Sequence, residues 1–284
     1  MFETIGEFAA ASHLSPDEAA ALQVIVSDPV LAAKARKLAE AAFAGEGSPD
    51  CGAEGGDWSR IRYAAAFFVA PKIPEHFAAY GFPESVMLET MTDLPVWLRN
   101  EMRNRGFYGL CVMAWPWQVA LYQAKVTRHG RLECNTEYVY RREALLDAAG
   151  NVLLEPGDPV INLHIPEDGP MRIGDCLDSM RRMEKFFSAY RPDFPWRGFL
   201  CESWLLDRQL RSMLPENSNI VRFQDLGTHY LIHETDEPLF RIFGTSDPDA
   251  VSAPTSLQRN AAQFLRDGGR FMEEGIFIPK SVLN

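Results

Sequence analysis

The stretch "VINLHIPEDGPM", residues 160–171, decides how the second half of this chain is read. An apolar run carries His164 and stops at Pro166, which has no N–H to give to a ladder. An acidic loop containing Gly169 follows. Then comes "DCLDSMRRMEKFFSAY" (175–190), in which Leu177, Met180, Met183, Phe187 and Tyr190 recur at helical spacing behind Asp175 as cap. Strand 160–165, a glycine loop and helix 176–190, in that order, build a site at the end of a sheet.

The surroundings extend the same grammar. "GRLECNTEYVY" (130–140) sets Leu132, Cys134, Thr136, Tyr138 and Tyr140 against Arg131, Glu133, Asn135 and Glu137, a period of two that predicts a strand. "DAAGNVLLEPGDP" (147–159) holds turn signals at Gly150-Asn151 and at Pro156-Gly157-Asp158. "GFLCESW" (198–204) is a strand, and "LLDRQLRSML" (205–214) is a short helix closed by Pro215. "NIVRFQ" (219–224), "HYLIHE" (229–234) and "PLFRIFG" (238–244) are three further strands. "TSLQRNAAQFLRD" (255–267) is a last helix stopped by Gly268.

The first part of the chain reads differently. "SPDEAAALQVIV" (15–26) has Ser15 as N-cap, Pro16 at the first helical position and Glu18 completing a capping box. "DPVLAAKARKLAEAAFAGEG" (28–47) repeats this with Asp28 and Pro29, and Gly45 suits a left-handed stop. "GEGSPDCGAEGGD" (45–57) is a surface loop by its glycine content. Helices continue over 58–70, 74–81, 83–91, 95–106 and 108–126, with Pro71 and Pro74 dividing the first two. The expected fold is therefore α+β: an all-helical N-terminal domain, 1–127, and a mixed-sheet α/β domain, 128–284.

Composition narrows the function. With 46% hydrophobic and 24% charged residues the chain is an ordinary globular protein, and no apolar run is long enough to span a bilayer. The N-terminal segment has two acids and no basic residue, which does not suit a secretory signal. A net charge of −11 argues against a nucleic-acid partner. Five widely spaced cysteines without a CxxC pair fit free thiols in a reducing cytoplasm and no metal site.

"GFPESVMLETMTDLPVWL" (81–98), "VINLHIPEDGP" (160–170) and "FLCESWLLDRQLRSMLPENSNIVRFQ" (199–224) resemble bacterial acyltransferases. In that family a helical N-terminal domain precedes a GNAT-like C-terminal one, and the resemblance covers nearly the whole chain. It implies transfer of an acyl group from acyl-CoA, as cosubstrate, to an amine or hydroxyl acceptor. The strand before the main helix would splay from its neighbour to admit the donor. Backbone N–H groups around Leu163 and Ile165 would hold the oxyanion, while Gly169, Arg172 and Gly174 would meet the pyrophosphate at the helix N-terminus. The family's Q/R-x-x-G-x-G/A loop is replaced here by "PEDGPMRIGD", in which Glu167, Asp168 and Asp175 add negative charge. A non-catalytic binding or sensory module on the same fold is the competing reading.

Candidate site residues follow from this placement. His164, on a strand face with Val160 and Asn162, is either a general base or a hydrogen-bonded histidine at a strand end. Glu202, next to Trp204, is either a base of raised pKa or half of an ion pair. Cys201, on a face with Ser203, is a nucleophile only if it meets His164, and otherwise a small hydrophobe. Ser203, Trp204, Trp115 and Trp117 are candidates for the substrate wall. His229 and His233 share a strand face, where pairing on a solvated surface is favoured over a metal. Arg141-Arg142 and Arg181-Arg182 read as solvated.

Overall fold

The computed structural model describes residues 2–44, 55–245 and 247–284, so positions 45–54 of the glycine-rich loop, with Gly45 and Cys51, lie outside the described residues. The chain forms two compact units. The first comprises Met1–Thr136, Pro166–Asp168 and Ser188–Tyr190, and the second comprises Glu137–Ile165, Gly169–Phe187 and Arg191–Asn284.

The first unit holds α1 (Ile5–Ala11), α2 (Pro16–Ser27), α3 (Pro29–Ala44), α4 (Gly56–Val69), α5 (Ile73–Ala79), α6 (Glu84–Met91), α7 (Leu94–Arg105) and α8 (Ala114–Tyr122). The capping box forms as the residues predict. Ser15 Oγ accepts from Glu18 N at 3.3 Å, and Ser15 N donates to Glu18 Oε2 at 2.6 Å. Asp28 Oδ1 accepts from the amides of Val30 and Leu31. Helix α1, capped by Thr4, was not among the expected elements. Helix α4 is apolar around most of its circumference and buries Ile61, Tyr63, Ala64, Ala65 and Ala66, so it forms the centre of the unit. Gly106, at φ +78°, closes α7 in the left-handed region.

A hairpin of β1 (Val126–His129) and β2 (Leu132–Asn135) ends this unit. The alternation over 130–140 predicted a strand through this whole stretch. Instead β2 stops at Asn135, and its polar Glu133 is 1% exposed. Period two marks opposite faces; it does not say that one of them meets water.

The second unit contains the hairpin β3 (Leu145–Leu146) and β4 (Val152–Leu154), then β5 (Ile161–His164), α9 (Ile173–Tyr190), β6 (Gly198–Ser203), α10 (Asn219–Gln224), β7 (Thr228–Glu234), α11 (Ser256–Arg266) and β8 (Met272–Pro279). Its strands lie in the order β5-β6-β8-β7, with β5 parallel to β6 and the other pairs antiparallel. The fold is α+β, helical first and mixed sheet second. Among the described residues no helix is long and apolar enough to cross a membrane.

Several expectations are corrected here. "NIVRFQ" is helix α10, started by Ser218 Oγ accepting from Val221 N at 3.2 Å. "PLFRIFG" gives a π-helical turn over Leu239–Phe243. Short apolar runs do not separate strand from helix by periodicity. "LLDRQLRSML" forms 3₁₀ turns instead of one helix. Helix α9 begins at Ile173, with Arg172 at the N-cap and Asp175 inside the first turn, so Asp175 is no cap. Strand β8, which pairs with both β6 and β7, was not among the expected elements, because Glu273, Glu274 and Gly275 interrupt the apolar run of "MEEGIFIP".

The sheet has two different faces. Register puts Ile161, Leu163, Phe199, Cys201 and Ile276 on one side, and Trp196 packs there between Phe187 of α9 and Phe199. The other side carries Leu200 and Phe277, which pack with Tyr140, Leu145, Leu154 and Val160 around the β3–β4 hairpin.

Candidate active site

The parallel ladder of β5 and β6 runs through Ile161↔Phe199, Asn162↔Leu200 and Leu163↔Cys201 and stops, while β6 continues to Ser203. Pro166 explains the stop, because β5 cannot be prolonged past it as a ladder strand. The β5–β6 pairing thus ends just before the loop that leads into α9.

A row of polar side chains crosses the hairpin face at this level. Glu202 on β6 is opposite Gly275 on β8, and Gly275 is opposite Tyr230 on β7. Tyr230 reaches across the glycine, and its hydroxyl donates to Glu202 Oε1 at 2.8 Å. Only glycine permits this: a Cβ at 275 would lie 2.0 Å from Tyr230 Cζ. Arg142 closes the arrangement with Nε to Oε1 at 2.6 Å and Nη2 to Oε2 at 3.2 Å, a two-pronged charge-assisted pair. Glu202 is therefore an ion-paired carboxylate, and Arg142 is not simply solvated. Burial and the Glu202 charge push the Tyr230 phenol far up, so it keeps its proton.

His164 belongs to the same face by alternation from Asn162, whose amide Nδ2 lies 3.3 Å from His164 Nε2. Burial lowers the ring's pKa to about 4, and the Glu202 charge opposes that shift. His164 is neutral at pH 7 and available to accept a proton. Because the unfolded ring titrates near 6.5, the unfolded chain binds more protons between the two values, and stability rises with pH there. His164 should cost the fold up to about 3 kcal/mol as pH falls from about 6.5 to 4. Denaturant midpoints measured across that range should show a slope that His164→Gln lacks. Equal slopes in both proteins would contradict the neutral ring.

The remaining candidates fall elsewhere. Cys201 is on the opposite face from His164, and burial pushes its thiol well up, so it forms no Cys/His pair with His164. Ser203 Oγ accepts from Leu205 N at 3.2 Å and ends β6. Trp204 packs with Leu210, Met213 and Phe271. Trp115 is 2% exposed and offers no open face, whereas Trp117 is half-buried. Leu163 is buried in β5 and Ile165 is partly exposed just beyond it. An added Cβ at Gly169 or Gly174 would meet nothing within 4 Å. Arg172 is exposed, with Asp175 at 4.0 Å.

His229 and His233 do not share a face. A bulge between Leu231 and His233 resets the register, so His229 meets Glu274 at 3.2 Å while His233 pairs with Glu273 at 3.3 Å. Tyr230 and Gly275 were not among the candidate residues, and Arg142 was read only as solvated. Their meeting depends on β8, which that reading did not contain.

A helical first part, followed by a mixed sheet with a long helix between its two parallel strands, defines the class of protein. Residues 3–121 match the N-acyltransferase N-terminal domain, and residues 126–277 match the GNAT-like C-terminal domain. The chain belongs to the N-acyltransferase family that these two domains define. It is similar to an acyltransferase solved with decanoyl-CoA and teicoplanin, at 22% identity and TM-score 0.73 over 98% of this chain and 88% of that one. Similar too are an acyltransferase with CoA and 10C-teicoplanin (21%, TM-score 0.73, 98% and 88%) and one with decanoyl-CoA (24%, TM-score 0.66, 96% and 83%). No curated protein matches.

Proposed function

We propose that the chain transfers an acyl group from acyl-CoA to an amine or hydroxyl of a small-molecule acceptor, on its C-terminal domain (128–284). The observation that carries this reading is the β5–β6 ladder ending at Leu163↔Cys201 just before the α9 loop. The donor's pyrophosphate sits against the first amides of α9, with Arg172 pairing a phosphate oxygen. The thioester reaches into the opening, where a backbone N–H between Leu163 and Ile165 stabilises the oxyanion. Neutral His164 takes the proton of the attacking acceptor and passes it to the departing CoA thiolate. Glu202, fixed by Arg142 and Tyr230, stabilises the imidazolium in between. Neither Cys201 nor a metal is needed in this sequence of steps. We place the reaction in a reducing cytoplasm, where Cys111, Cys134, Cys176 and Cys201 stay free thiols.

Donor binding is tested by melting curves with CoA, acetyl-CoA, octanoyl-CoA and decanoyl-CoA. A ligand held by the folded state alone adds about 2.7 kcal/mol at a hundredfold excess over Kd, a rise of several degrees. The rise should shrink with salt and in Arg172→Ala. Curves unmoved by every CoA species at millimolar concentration would favour the non-catalytic module.

A further inference from the structure

The acidic letters of "PEDG" first look hostile to a phosphate-bearing donor, yet both acids are occupied. Glu167 Oε1 accepts from Arg103 Nη1 at 2.9 Å and Glu167 Oε2 from Asn100 Nδ2 at 3.2 Å, both on α7. Asp168 is held from the β1–β2 hairpin: Arg128 Nη2 donates to Oδ2, and Arg131 Nη1 lies 3.4 Å from Oδ1. Residues 166–168 accordingly pack as part of the first unit, although they sit in the β5–α9 connection of the second.

Arg128 is built for this contact. It is 8% exposed, and its Nε is spent on the Gly130 carbonyl at 3.0 Å, which aims the fork. Buried Asp93 and Glu133 add their influence to that of Asp168 on the guanidinium. Asp93 is itself fixed by Gln118 at 2.6 Å and Trp97 at 3.0 Å. The cation is thus preorganised at a fixed point, and Asp168 is its partner from the loop. Only Gly169, Pro170 and Met171 separate that anchored carboxylate from Arg172 and the start of α9.

Resting on the acyl-CoA reading above, we propose that Asp168 is a positioning residue for the donor. Held by Arg128 and Arg131, it fixes the path of residues 169–172 and so sets the amides and Arg172 that receive the pyrophosphate. The two acids neutralise arginines of the first unit, and the donor then meets a loop whose negative charge is already matched.

The test uses the full chain and two readouts. Asp168→Asn should raise KM for decanoyl-CoA about tenfold or more while kcat stays within about threefold, since the chemistry is elsewhere. Asp168→Glu, which keeps the charge, should recover much of the loss. Hydrogen exchange of the amides of residues 167–169, 171 and 172, read without any CoA, should be about tenfold faster in Asp168→Asn than in the wild type. Faster exchange with an unchanged KM would overturn the positioning role and leave the acyl-CoA reading standing. Unchanged exchange would show that Asp168 does not hold the loop, which also overturns the proposal. If the wild type neither binds nor turns over acyl-CoA, the functional reading fails and the positioning role fails with it.

Discussion

Gly275→Ala should cost the protein both stability and turnover. The added methyl would sit 2.0 Å from Tyr230 Cζ and 2.4 Å from its hydroxyl oxygen, far inside contact distance. Strand β8 is paired on both sides, with β6 and with β7, so its backbone cannot retreat without breaking two ladders. Tyr230 must therefore swing away, and Glu202 loses its phenol donor. Overpacking of this kind costs about 1–3 kcal/mol. A displaced acid in a transfer site costs about a hundredfold in rate. Tyr230→Phe separates the two effects, because it keeps the ring and removes only the hydrogen bond. The double variant Gly275→Ala, Tyr230→Ala should be more stable than the sum of the single changes predicts, as the clash disappears with the ring. Additive losses would mean that Tyr230 does not lie over Gly275.

Glu202→Gln should lower turnover by about 10² to 10⁴ with little change in fold stability. The carboxylate works to raise the pKa of His164. Its removal leaves the imidazolium intermediate without a counter-charge and moves the acid limb of the rate profile below about 4. Arg142, 41% exposed, can turn its guanidinium to water, so the lost pair costs about 1 kcal/mol or less. Arg142→Lys should be intermediate in rate, since it keeps the charge and loses the fork. A Glu202→Gln protein that melts far lower yet transfers at the wild-type rate would make the carboxylate purely structural.

Local grammar carried the helical half well. Ser15, Pro16 and Glu18 form the capping box their spacing predicts, and Asp28 caps α3, because such bonds are made within four residues of chain. The order of strand 160–165, glycine loop and helix was equally legible. Partners distant in sequence were not. Glu202 was read beside Trp204, whereas its partners are Arg142 and Tyr230, 60 and 28 positions away. Recognising that meeting requires β8 between β6 and β7, and "MEEGIFIP" reads as a strand only once Gly275 is seen as the space for a neighbour's ring. The face of His233 depends on a bulge with no local signature, and the acids of the loop looked free because Arg103, Arg128 and Arg131 lie far back in the chain.

The most direct measurement of acyl transfer is release of CoA thiol from decanoyl-CoA by the purified full-length chain, followed with a thiol reagent against a panel of small amines and hydroxyl compounds. Wild type should release thiol in an acceptor-dependent way with a matching acylated product, and both His164→Ala and Glu202→Gln should slow that release about a hundredfold or more while still binding the donor. Donor bound without thiol release for any acceptor, or release unaffected by both substitutions, would contradict catalysis at the His164–Glu202 row.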